Sequence, residues 1–348
     1  FSGFVFNVFQ IIDFREIPAK KGKFNSLNNW DLFNNSKTQV ETAEGLINFQ
    51  KEGTPYFVEQ GGIFGKIDEQ LKDKSIACLR GIHGLGKTTT AIKYAHRVEE
   101  DYDFIIYISS AKDLIEQELA KLTDRFVEGQ KGIADQTGKP EEFKRFLKGK
   151  QNWLVIFDNL EVQEHIAKYF PKYEHGKILY TCNEPLFIGE DCEVKLDKFS
   201  QEEAELFIFQ KVNKNKDAKN EDIPAEELEK IKALINELGF LPLALNIAGA
   251  YIKENLVGKC GNENHYDVYL DYFEQALAEV LEIQDEHDLY QYKTLIAAFN
   301  ISLAKITTPK DDSEKAQVIA QLAEAFLNLV TFCASDDIPE DFIRQTLF

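Results

Sequence analysis

Gly81-Ile82-His83-Gly84-Leu85-Gly86-Lys87-Thr88 places glycines, a lysine and a threonine at intervals that suit an anion, directly after the apolar run Ile76 to Arg80 and before a helical pattern. Glycines so spaced let backbone N–H groups face a phosphate without side-chain obstruction, and a helix beginning at the loop's end adds its N-terminal dipole. Lys87 can bridge two phosphates, Thr88 offers a hydroxyl to Mg2+, and Thr89 can donate to a further phosphate; His83, Gly84, Leu85 and Gly86 form the cradle. The chemistry is the binding of a nucleoside di- or triphosphate with magnesium. A glycine-rich turn that merely matches is the bland alternative, and the flanking strand and helix argue against it.

Trp153-Leu-Val-Ile-Phe157-Asp158 is an apolar run ending in a carboxylate. On a buried strand it delivers Asp158 to the carboxyl edge of a sheet beside the phosphate loop, where it serves as the magnesium acid; a turn-forming aspartate is the competing reading. Asn159 follows, and an amide cannot take a proton from an attacking water. Glu161 is the nearest substitute base, so hydrolysis is expected to be slow. Gly176 to Asn183 is a further strand with a polar end, which is either a sensor of the terminal phosphate at Asn183 or an ordinary strand end. No Asn-Lys-x-Asp pattern selects guanine, so adenine is favoured.

These residues need a scaffold. Strands are expected at Ile76 to Arg80, Phe104 to Ile108, Trp153 to Phe157, Ile178 to Thr181 and Glu193 to Leu196, separated by helices at Lys87 to Glu100, Leu114 to Phe126, Glu141 to Leu147 and Val162 to Tyr169. That alternation is an α/β pattern with a parallel sheet covered on both faces. After Phe199 strand signals fade. Ser200-Gln-Glu-Glu203 is a capping box, and helices follow at Gln201 to Val212, Pro224 to Leu238, Pro242 to Glu254, Tyr266 to Leu281, Lys293 to Ile306, Ser313 to Cys333 and Ile338 to Leu347. Upstream, Phe4 to Ile12 is expected to be a strand and Thr42 to Gln50 a short helix. Lys211 to Lys219, alternating lysine with asparagine, is expected to be a solvated connector.

Composition narrows the classes. Lys plus Arg number 40 against 59 Asp plus Glu, a net charge of -19, and that field repels a nucleic-acid backbone. Five scattered cysteines without C-x-x-C spacing argue against a disulfide framework or a zinc site and point to a reducing, cytoplasmic setting. The apolar stretch Phe240 to Tyr251 is too short to span a bilayer and contains Pro242 and Asn246, so no membrane segment is expected. The Phe1-Ser-Gly-Phe-Val-Phe run lacks a basic leader and a cleavage pattern. Methionine is absent even at position 1, which suggests an internal piece of a longer chain or omitted modified methionines.

Taken in order, these segments resemble the NB-ARC domain of the STAND class of P-loop signalling ATPases, a module of plant resistance proteins, apoptotic adaptors and bacterial defence proteins. Ile63-Phe64-Gly65-Lys66 is similar to the element that lines the adenine side, with lysine for arginine, and Gly81 to Thr90 is similar to the Walker A segment. Leu154 to Glu161 resembles a Walker B segment with Asp-Asn, and Leu196 to Phe207 the entry into the first helical domain. Gly239-Phe-Leu-Pro242-Leu-Ala244 resembles Gly-Leu-Pro-Leu-Ala, whose proline touches the base, a role that falls to Pro242. Thr294 to Phe348, with Asp336 to Asp341, resembles the opening of a winged-helix domain. Two departures stand out: Asn183 occupies the place of a sensor arginine, and the Met-His-Asp motif is absent.

The resemblance implies a P-loop NTPase sheet followed by an all-α domain and the start of a winged helix. The expected divisions are an upstream tail at 1–54 with a faint likeness to a TIR end, a nucleotide-binding domain at 55–199, a helical domain at 200–290 and the winged-helix start at 291–348. It also implies an ADP/ATP switch that forms homo-oligomers when an activating ligand engages, in defence or cell-death signalling, with weak ATPase activity. An actively hydrolysing AAA+-like ATPase or P-loop kinase, and a scaffold with a degenerate site, are the alternatives.

Overall fold

The computed structural model describes residues 41–42, 45–47, 55–109, 115–127, 138–160, 168, 175–183, 192–282 and 290–330. They divide between two compact units, one within residues 28–203 and the other within 204–348.

The first unit is built on a sheet of β1 (Glu41–Thr42), β2 (Gly45–Ile47), β3 (Ile76–Arg80), β4 (Phe104–Ser109), β5 (Trp153–Asp158), β6 (Gly176–Cys182) and β7 (Glu193–Lys195), in the order β1-β2-β4-β5-β6-β3-β7. From β2 to β7 every pairing is parallel; only β1 runs antiparallel to β2. The expected strands of the core thus form, each within two residues of its expected ends. Where a helix is expected at Thr42 to Gln50, the described residues are strand, the end of β1 and all of β2; Leu46 and Ile47 pair with Phe104 and Ile105, and a sheet edge offering backbone partners overrides weak local preference.

Parallel strands must be covered on both faces, which explains their near-continuous apolar sequences. On one face Ile106, Ile108, Val155, Phe157, Ile178 and Tyr180 pack with Leu119 and Leu122 of α3 (Ile115–Phe126) and with Phe143 and Leu147 of α4 (Lys139–Lys148). The alternate residues Ala77, Leu79, Leu154, Ile156 and Leu179, also buried, point the other way. Helices α1 (Ile63–Lys74) and α2 (Lys87–Arg97) pack against β3 and β6. The α1 helix, absent from the expected elements, carries Ile63, Ile67 and Leu71 on one buried stripe. It ends at Ser75 with φ 60, and Lys177 of β6 donates to the Leu71 carbonyl at 2.5 Å, satisfying a carbonyl of the last turn. Gly176 passes beneath the Trp153 ring, where a Cβ would lie 2.1 Å from ring carbons, so no larger residue fits without displacement.

The second unit is helical: α5 (Gln201–Val212, which begins at its boundary), α6 (Ala225–Leu238), α7 (Pro242–Tyr251), α8 (His265–Glu282), α9 (Tyr290–Thr307) and α10 (Glu314–Val330). The capping box forms, with Glu203 N–H donating to Ser200 Oγ at 3.2 Å and Ser200 N–H to Glu203 Oε2 at 2.8 Å. Pro224 stands just before α6 rather than within its first turn. Gly239 (φ 68) closes α6, Phe240 (φ 61) continues in the left-handed region, and Pro242 opens α7. The expected helix to Glu254 stops at Tyr251 and widens into a π-type turn over Ile252–Leu256. Lys211 does not begin a solvated connector; it lies on α5 with 4% of its surface exposed. No helix among the described residues is long and apolar enough to cross a membrane. Phe4 to Ile12, Glu161, the helix Val162 to Tyr169 apart from residue 168, Asp336 to Asp341 and Ile338 to Leu347 lie outside the described residues.

Candidate nucleotide-binding site

The loop from Gly81 to Gly86 joins the carboxyl end of β3 to the first turn of α2. Gly84 (φ 86) and Gly86 (φ 91) take left-handed conformations that a side chain would strain, and these turns bring the chain to the helix N-terminus at Lys87. Gly81 is required for a different reason. A Cβ there would come 2.8 Å from the Leu196 carbonyl and 2.7 Å from the Leu85 side chain. Leu85 itself is buried and anchors the loop. Lys87 Nζ donates to the carbonyls of Gly81 and Ile82 at 2.8 and 3.0 Å, so its ammonium bridges the loop's own backbone. Burial lowers its pKa from the ordinary lysine value, while the charge of Asp158 opposes that shift.

Asp158 reaches this loop although β5 is not the neighbour of β3: β6 lies between them. Its carboxylate, 8% exposed, is held by three hydroxyls. Thr88 Oγ1 lies 2.9 Å from both carboxylate oxygens, Tyr107 OH donates to Oδ2 at 2.7 Å and Thr181 Oγ1 donates to Oδ1 at 2.7 Å. Thr181 Oγ1 also accepts the backbone N–H of Asn159 at 2.8 Å. Asn159 has φ 58, a conformation asparagine tolerates better than most residues with a Cβ. The residue after the acid therefore serves the turn through its backbone.

At the next position beyond β6, Asn183 Nδ2 is 3.0 Å from His83 Nε2. Partial desolvation, followed by the charge of Lys87, lowers the His83 pKa from its ordinary value. Lys87, Thr88, Asp158, His83 and Asn183 are thus brought to one edge of the sheet. Thr89 lies on the first turn of α2 beside Thr88. Ile63, Phe64 and Gly65 form the first turn of α1, with Ile63 buried and the Phe64 ring stacked on Phe57 at 5.7 Å and tilted against Tyr94 at 5.9 Å. Pro242, buried, belongs to the helical unit.

Tyr107 and Thr181 were not singled out as partners of Asp158 from sequence. The available signal was a hydroxyl interrupting each apolar strand, Phe-Ile-Ile-Tyr107 and Ile-Leu-Tyr-Thr181, near its carboxyl end. Cys78 and Cys182, whose sulfurs lie 3.3 Å apart on adjacent strands, are buried thiols outside any disulfide, as is Cys192.

A phosphate loop entering a helix at the edge of a parallel sheet, with a strand-end carboxylate hydrogen-bonded to the loop threonine, defines a P-loop nucleotide-binding fold. Residues 60–224 match the family model of the NB-ARC domain. A comparison with curated proteins found no match. Among solved structures, a Walker-type ATPase of Pyrococcus abyssi is 14% identical, with 84% of this chain and 88% of that one covered at a TM-score of 0.42. A RuvB mutant of Thermotoga maritima is 13% identical over 83% of this chain and 96% of that one, TM-score 0.42. AMPPCP-bound DnaA of Aquifex aeolicus is 15% identical over 81% and 92%, TM-score 0.40. Likenesses this remote bear on neither substrate nor partner.

Proposed function

We propose that this chain is an adenine-nucleotide switch, holding ADP or ATP with Mg2+ and hydrolysing slowly, in which the identity of the bound nucleotide controls assembly with like subunits in a signalling protein. The observation that carries it is the Asp158 cluster. Three hydroxyls hold the acid in place, and Thr88 can keep donating to Asp158 while its oxygen faces a cation. Oxygen donors of this kind suit Mg2+, a hard ion that prefers carboxylate, hydroxyl and water. Lys87 would exchange the Gly81 and Ile82 carbonyls for phosphate oxygens. Thr89 would donate to the α-phosphate, and Ile63, Phe64, Gly65 and Pro242 are assigned to the base on the strength of the NB-ARC resemblance.

Slow turnover follows from Asn159, an amide in a left-handed turn where a second acid would stand. Glu161 is the remaining carboxylate for activating water. The nucleotide domain is taken as 55–199, with the helical domain at 200–290 and a winged-helix start at 291–348, cytoplasmic throughout.

The test is nucleotide content, affinity and turnover of the purified protein beside Lys87→Ala. Expected are adenine nucleotide held in a magnesium-dependent manner, turnover well under about 1 per second, the low end for enzymes generally, and ATP-analogue-dependent assembly measured by light scattering and lost in Lys87→Ala. Sustained rapid turnover would replace the switch with an actively cycling ATPase; phosphate transfer to an acceptor would make it a kinase; no nucleotide binding would leave a scaffold with a degenerate site.

A further inference from the structure

His83 sits in the phosphate loop and Asn183 follows β6, two residues beyond the Thr181 that binds Asp158. Their side chains meet at 3.0 Å, amide nitrogen to ring nitrogen. An amide NH2 only donates, so Nε2 of His83 is the acceptor, and a neutral imidazole accepting there carries its proton on Nδ1. The partial desolvation of His83 favours the neutral ring. Among the described residues the Nδ1–H meets no acceptor, and the Asn183 Oδ1 is buried without a partner. The pair therefore brings one unspent donor and one unspent acceptor to a loop whose glycines turn backbone N–H groups toward an anion.

Its position narrows which phosphate is concerned. Thr88 and Asp158 mark where a cation would bridge the last two phosphates of a triphosphate, and Asn183 leaves the same sheet edge just past Thr181. We propose that His83, oriented by Asn183, is the residue by which this site distinguishes a nucleoside triphosphate from a diphosphate, its Nδ1–H donating to the terminal phosphate. Asn183 is a positioning residue: its NH2 fixes the tautomer, and its Oδ1, which cannot face a deprotonated phosphate, takes a water that hydrates it. The position that the NB-ARC resemblance gives to a sensor arginine is thereby replaced by a shorter amide acting through the loop histidine. This inference rests on the nucleotide reading above.

The test measures the affinities of ADP and of a non-hydrolysable ATP analogue, each with Mg2+, by calorimetry on the full chain and on His83→Ala, Asn183→Ala, the double variant and His83→Asn. A hydrogen bond to a charged group is worth about 1.5–3 kcal/mol, so His83→Ala should lower the preference for the ATP analogue over ADP by about 10-fold or more. Asn183→Ala should lower the same ratio, the double variant should be no worse than the worse single, and His83→Asn, which keeps an N–H close to Nδ1, should recover part of it. Equal losses for the two nucleotides, or additive effects of the two substitutions, would overturn the proposal while leaving nucleotide binding intact. A wild-type chain that takes neither nucleotide would end the nucleotide reading itself, and this inference with it.

Discussion

Asp158 at the sheet edge and Lys211 in the helical unit are both charged side chains with less than a tenth of their surface exposed, 8% and 4%. They are accommodated differently. Asp158 collects hydroxyl donors from three separate elements, α2, β4 and β6, so its charge is met by oriented dipoles. Lys211 donates to the Asn246 side-chain Oδ1 within the helical unit, with its ammonium 6.0 Å from the Phe207 ring centroid. Burial, reinforced by the like charge of Lys253, brings its pKa down to about 8. The acid is surrounded by several donors, whereas the lysine enclosed by packing has its charged form disfavoured.

The comparison can be broken most directly at Asp158. Replacing it with alanine strands three hydroxyls and removes the carboxylate proposed to support the metal, and the magnesium-dependent part of nucleotide affinity should fall about 100-fold, the upper end of what loss of a metal-supporting group costs. A loss of only a few-fold, measured by titration with and without Mg2+, would make the hydroxyl cluster a structural feature instead. Gly176→Ala separates packing from chemistry in the same sheet. A methyl at the Trp153 ring should cost about 1–3 kcal/mol, read as a lower midpoint in denaturant. An unchanged midpoint would mean that the ring has room to move.

Tyr107→Phe removes one donor and leaves the ring. Magnesium-dependent affinity should weaken by about 10-fold, since one hydrogen bond to a charged group is lost; no change would show that Thr88 and Thr181 suffice. The smallest effect is expected in the helical unit. The Lys211 pKa is lowered from 10.5 to about 8, so between those values the unfolded chain holds a proton that the folded chain lacks, and stability rises with pH; below about 8 the cost of the buried charge is fully present. Lys211→Met should flatten that rise in thermal scans across the same window, and a profile identical to wild type would show that another group titrates there.

Much of the sheet was legible because buried parallel strands are continuous apolar runs, and those ending at Arg80, Ser109, Asp158 and Cys182 fall close to where such runs stop. The short pieces were not. β2 owes its form to the edge of β4 and β1 to that of β2, and the π-type turn at Ile252–Leu256 follows an unbroken helical pattern in sequence. Lys211 looked solvated because the stretch from Asn213 to Lys219 is mostly polar, yet it lies in the last turn of α5.

The amino-acid sequence by itself determined that a phosphate loop exists and that an aspartate ends a buried strand, because both are local consequences of residue type and spacing: glycine where φ must be positive, a carboxylate where an apolar run stops. Only the tertiary structure decided that β6 lies between those two strands, that Tyr107 and Thr181 complete the shell around Asp158, and that His83 meets Asn183. These are contacts between residues 100, 51 and 23 positions apart. Strand order and register bring them together, and neither is written in any short stretch of chain.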